Sequence, residues 1–153
     1  MASLKNRIIR KAMTVSVKRV YDPAVVRDGT RVLVDRLWPR GLTKERAAVK
    51  LWLRELAPSN ELRQWFHANP EGWGIFRRRY LKELANEEAS AAVDKLHHLA
   101  GKKRHVTLLY ASRSETRNNA TVLKELLDGM PKPPSSVGRG SSDQGRNRKI
   151  KSI

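Results

Sequence analysis

The chain has 153 residues, no cysteine, and 32 Lys and Arg against 15 Asp and Glu, a formal charge of +17. The length suits one domain. The lack of cysteine excludes disulfides, thiolate metal sites and cysteine nucleophiles, and no stretch reaches the roughly 20 apolar residues of a membrane-spanning helix.

These features fit a cytoplasmic protein. Six basic residues and one acid after residue 130 put +5 in the C-terminal segment and leave +12 on residues 1–130. A field of that sign attracts polyanions such as nucleic acid and phosphorylated metabolites. Residues 1–13 are basic and contain no acid. Their apolar run is too short and interrupted for a secretory signal, so they are expected to form a flexible basic start.

Residues 14–20, TVSVKRV, are β-branched and partly alternating, and predict a first strand. Asp22-Pro23 and Asp28-Gly29 mark turns. Arg31–Asp35 predicts a second strand. Its centre, Val32-Leu33-Val34, is apolar on both faces, which favours a buried, parallel position. Pro39 and Gly41 turn the chain after it, and Thr43 caps a short helix over 44–50. Ser59 caps a helix containing Glu61, Leu62, Trp65 and Phe66. Asn69-Pro70-Glu71 reads as the start of the next helix. That helix gathers Trp73, Phe76, Tyr80 and Leu84 on one face, widened by Ile75 and Leu81.

Ala89, Ala92, Val93, Leu96 and Leu99 repeat at helical spacing, and Gly101 suggests the stop. His105–Tyr110 is the clearest late strand. A polar turn at Ser112–Glu115 then leads to a final helix carrying Ala120, Val122, Leu123, Leu126 and Leu127. From Pro131 the chain is rich in Pro, Gly, Ser and basic residues, a composition that predicts disorder. Strands alternating with helices predict a small single-domain α/β layered fold over residues 14–130, with a mainly parallel sheet flanked by helices. Strand order is left open.

Two segments are candidate sites. Asp35-Arg36-Leu37-Trp38-Pro39-Arg40-Gly41 follows an apolar strand, where ligands collect in open α/β sheets. Arg36 and Arg40 can clamp a phosphate or carboxylate through paired N–H donors, with Asp35 orienting an arginine or acting on a proton. The competing reading is a local salt bridge over a packed Trp38. The second segment, Tyr110–Glu115, offers Tyr110, Ser112 and Arg113 as ligand contacts near a helix start. Its competing reading is helix capping, since Ser112 and Glu115 have capping-box spacing. In a parallel sheet this segment lies beside Arg36 and Arg40.

His67 can exchange a proton near neutral pH, but an isolated histidine at a helix end more often bonds locally. His97 and His98 face different helical directions, and His105 joins them only if the fold permits, so no metal site is expected. No catalytic residue and no cofactor is assigned. The phosphate-loop, dinucleotide, zinc-protease and nucleophile-elbow motifs are absent. Trp38, Trp52, Trp65 and Trp73 sit in apolar or helical patterns and are expected in or around the core. Two functions follow. The first is an enzyme or sensor for a small anionic ligand held by Asp35, Arg36, Arg40, Tyr110, Ser112 and Arg113. The second is an accessory protein binding nucleic acid nonspecifically through the N-terminal basics, Arg77–Arg79, Lys102–Arg104 and the tail. No membrane partner is expected, and no oligomer interface is legible.

The segments KRVYDP at 18–23, DGTRVLVDRLWPRGL at 28–42, LAPSNELRQWF at 56–66, WGIFRRRYLKEL at 73–84 and VTLLYAS at 106–112 resemble the DUF488 family, specifically its short YeaO-like members. Asn118, Ala120, Val122 and Leu123 match the family's following helix, and DRLWPRG is the most specific piece. The resemblance implies a compact α/β domain and carries no settled reaction. It also implies an aspartate at the positions held here by Asn69 and Ser114. Those departures weaken an acid–base or metal role at either position more than they weaken anion binding.

Overall fold

The computed structural model describes residues 14–101 and 105–130. The expectations for residues 1–13, Lys102–Arg104 and the segment after Met130 lie outside these. Four strands, β1 (Thr14–Arg19), β2 (Thr30–Leu33), β3 (Leu51–Trp52) and β4 (His105–Tyr110), form one sheet in the order β1-β4-β2-β3. Every pairing is parallel. The helices are α1 (Lys44–Ala47), α2 (Asn60–Ala68), α3 (Trp73–Glu83), α4 (Glu87–Gly101) and α5 (Asn119–Asp128).

The apolar run of β2 is buried on both faces, as a central parallel strand requires: Val32, Leu33 and Val34 are fully buried. Val32 and Val34 join Val106, Leu108 and the helices in the larger core. Leu33 and Leu109 point the other way, into a smaller core shared with Val20 and Ala47 and flanked by Trp38 and Trp52. The period-2 alternation of strands thus divides one sheet between two apolar layers.

Several boundaries differ from the sequence expectations for identifiable reasons. The helix after Thr43 ends at Ala47 because Ala48 turns left-handed (φ 49°) and Lys50 N–H then bonds the Arg31 carbonyl. That bond draws Leu51 and Trp52 into β3 beside β2. Asn69 does not start α3. Its side chain donates to the Trp65 carbonyl at 2.8 Å, closing the end of α2, and α3 begins after Gly72. Ile75 is 40 % exposed and lies off the packed face, whereas Phe76, Tyr80 and Leu84 are buried. Helix α4 is started by Asn86, whose side chain accepts from Ala89 N–H. Ser112 does not cap α5. Asn118 does, accepting from Thr121 N–H at 2.9 Å.

The edge of the sheet at the strand N-termini holds a buried ion cluster. The Asp28 carboxylate accepts from Lys18 at 3.0 Å and Arg31 at 2.7 Å, and from Val25 N–H at 3.1 Å. Arg31 also donates through Nε and Nη2 to the Ala47 carbonyl. Burial pushes the Asp28 carboxyl up, but the hydrogen bonds from Lys18, Val25 and Arg31 outweigh it and hold it below its ordinary value of 3.8. Next to it, Gly29 adopts φ +65°, and a Cβ there would overlap the His105 carbonyl.

Asp28→Asn is therefore predicted to cost about 3–5 kcal/mol in denaturant unfolding, because it leaves Arg31 buried without its counter-charge. The folded pKa of Asp28 lies below the unfolded one. Its contribution is therefore full above the ordinary carboxylate value and is lost as pH falls through the depressed one. The acid limb of the stability profile is predicted to flatten in the variant. Gly29→Ala is predicted to destabilise the fold at every pH, and the same unfolding measurement checks it.

Candidate functional site

The carboxyl ends of β2 and β4 lie side by side because the two strands are parallel neighbours. The segments that leave them, 34–42 and 111–118, therefore rise at the same edge of the sheet. Between them and α2 is a cavity of about 830 Å³. Of the residues expected to bind a ligand, Asp35, Arg36, Arg40, Ser112 and Arg113 line it. Tyr110 does not. It is 2 % exposed and belongs to the larger core, and burial pushes its hydroxyl above its ordinary value.

Asp35 ties the two loops together. Its Oδ2 accepts from Ala111 N–H at 2.9 Å, and its Oδ1 accepts from the Asn119 side chain at 3.1 Å. The same Asn119 nitrogen donates to the Val34 carbonyl. Burial raises the Asp35 carboxyl, and the bonds from Ala111 and Asn119 offset part of that rise. The expected salt bridge between Asp35 and a neighbouring arginine does not form. Arg36 turns instead to the Ala57 and Pro58 carbonyls, through contacts of 3.4 Å that lie at the weak end of hydrogen bonding.

The DRLWPRG loop is held by polar tethers from aromatic side chains. Trp52 Nε1 donates to the Asp35 carbonyl at 2.8 Å, and Trp38 Nε1 donates to the Leu42 carbonyl at 2.7 Å. The two indoles meet edge to face at 5.5 Å. The Tyr21 hydroxyl donates to the Arg40 carbonyl at 2.9 Å, and Gly41 takes the positive φ (82°) that closes the turn. Across the cavity, Arg19 donates to the Ala111 and Ser112 carbonyls. Ser112 and Ser114 hydroxyls accept from the Ser114 and Arg117 amides. The backbone of both loops is thus fixed while the side chains of Arg40, Arg113 and Arg117 make no hydrogen bond or ion pair among the described residues.

Sequence reading missed two cationic members of the wall, Arg63 and Arg117. Arg63, Phe66 and His67 all line the cavity, and their i, i+3, i+4 spacing on α2 was the available signal that they share a face. The residues lining the cavity thus include five arginines, four of them exposed, and, among the described residues, Asp35 as the only acid. Five cations about one partly enclosed space repel one another and favour a bound anion, and the start of α5 adds its positive dipole end through Asn118 and Asn119. No group of three or more His, Cys, Asp or Glu suited to a metal ion occurs among the described residues. No helix among them is long and apolar enough to cross a membrane.

The family model described as "Inactive DUF488-N3 subclade" matches residues 14–140. The chain is 46% identical over 115 residues to the Escherichia coli (strain K12) protein named Uncharacterized protein YeaO, covering 75% of this chain and 97% of that relative. It is 44% identical over 115 residues to Uncharacterized protein Mb3100c of Mycobacterium bovis and to Uncharacterized protein Rv3073c of Mycobacterium tuberculosis, covering 75% of this chain and 94% of each. No solved structure matches. The chain belongs to the DUF488 family.

Asp35, which is half-buried, and the buried Asp28 are predicted to titrate on opposite sides of the ordinary 3.8, Asp35 above it and Asp28 below it. Carbon-detected NMR of the aspartate carboxyls across the acid range reads both midpoints. Because Asp35 takes up its proton more readily in the folded state, its share of stability is largest in acid and declines as pH rises through its raised pKa.

Proposed function

We propose that this chain is a binding domain for a small anion bearing phosphate or carboxylate groups, held at the carboxyl edge of the sheet. The observation that carries this reading is the convergence of Arg36, Arg40, Arg63, Arg113 and Arg117 on one cavity. Guanidinium groups match phosphate and carboxylate oxygens in pairs, and rigid loops lower the entropy lost when they engage.

Binding without turnover is the favoured form of the reading. The chain has no cysteine. Among the described residues no base is bonded to the Ser112 or Ser114 hydroxyl, each of which accepts from a backbone N–H of its own loop, and Asp35 bonds Ala111 N–H and Asn119 rather than a serine. The description of the matched family model as inactive agrees. Of the surfaces expected to meet nucleic acid, Arg77–Arg79 falls in the described residues. There Arg77 pairs with Glu125 at 2.8 Å and Arg79 lies over the Trp65 ring at 5.1 Å, which supports the cavity over the α3 surface as the anion site.

Calorimetric titration with pyrophosphate tests the reading. Arg40→Gln and Arg113→Gln are each expected to weaken binding about tenfold, the effect of losing one charge-assisted hydrogen bond. Arg78→Gln, on the exposed surface of α3, is expected to leave it unchanged. Equal losses in all three variants, or no binding by the unaltered chain, would count against the cavity.

A further inference from the structure

The cavity has two features that a bare anion does not use. Beside the arginines, its wall includes the half-buried rings of Trp38 and Phe66, apolar surface that inorganic phosphate or a small dicarboxylate leaves uncovered. The wall also includes Asp35, whose negative charge opposes any ligand that offers only negative charge. A carboxylate in such a place favours binding only when the ligand brings it a hydrogen-bond donor.

Asp35 has capacity for one. A carboxylate offers about four acceptor positions. Ala111 N–H takes one on Oδ2 and Asn119 takes one on Oδ1. No arginine side chain bonds it among the described residues, Arg36 being turned to backbone carbonyls. Its position is fixed by the end of β2, by Ala111 after β4, and by the start of α5, so it is a held acceptor beside arginines.

We propose that the ligand is a nucleoside phosphate whose base carries an exocyclic amine, with the phosphate on the arginines, the base against the aromatic wall and the amine donating to Asp35. This rests on the anion-binding reading above and narrows it. The about 830 Å³ available falls within the usual range of small-molecule sites, roughly 300–1,000 Å³. A flat, largely apolar ring covers the surface around Phe66 and Trp38, and its amine converts Asp35 from an obstacle into a selector. A buried acceptor discriminates strongly against an analogue that lacks the matching donor, because the acceptor is then left desolvated and unpaired.

The test is calorimetry on the full chain at neutral pH with four probes: adenosine monophosphate, purine riboside monophosphate (the same ring without the amine), ribose 5-phosphate and pyrophosphate. The expected result is adenosine monophosphate binding about tenfold or more tighter than purine riboside monophosphate. In Asp35→Asn that preference is expected to disappear. The comparison within the unaltered chain stands even if the variant fails to fold. Equal affinity for the two purine nucleotides overturns the inference while leaving anion binding intact if pyrophosphate still binds. Binding of none of the four probes overturns both.

Discussion

The candidate site depends on one carboxylate, Asp35. It leaves the end of β2, takes the first backbone N–H beyond β4, and takes the side chain of Asn119 at the start of α5. The end of β2 is thereby tied to both ends of the connection from β4 to α5, 76 and 84 residues further on. Burial of the group is unfavourable to its charge, and two directed donors offset that cost, as is required of buried polar atoms. Because the tie uses no arginine, the cations around it remain available to a ligand.

The two ends of the sheet use charge differently. Beside the start of β2, Asp28 is neutralised by Lys18 and Arg31, and Arg31 also donates twice to the Ala47 carbonyl. That cluster is closed and structural. At the strand C-termini, five arginines and one acid line a common cavity, and the loops that carry Arg36, Arg40 and Arg113 are held by Trp38, Trp52, Tyr21 and Arg19. The Asn69 amide donates to the Trp65 carbonyl, which an ionised aspartate cannot do. Ser114 accepts from Arg117 N–H without adding negative charge to the cavity.

Much of this was legible in the sequence. The doubly apolar Val32–Val34 announced a buried parallel strand, His105–Tyr110 its neighbour, and parallel pairing then placed Ser112 and Arg113 beside Arg36 and Arg40. What escaped depended on long-range contact. The two residues of β3 are too few for any periodic signal, and they become a strand only because Lys50 and Leu53 bond to β2 carbonyls. Asn69 has the residue type and the following proline of a helix start, but the preceding helix claims its side chain. The partner of Asp35 was read as a neighbouring arginine, and it is Asn119, 84 residues away. Tyr110 follows strand alternation into the larger core and is buried there, whereas its neighbour Ala111 helps to line the cavity.

The most direct measurement of the account is an NMR titration of the arginine side-chain Nε–H signals with pyrophosphate. The guanidiniums of Arg36, Arg40, Arg113 and Arg117 are expected to shift together and saturate with one affinity, while those of Arg77, Arg78 and Arg79 on α3 stay in place. Shifts confined to α3, or spread evenly over all arginines without saturation, would contradict a built anion site and leave the basic charge as a property of the surface.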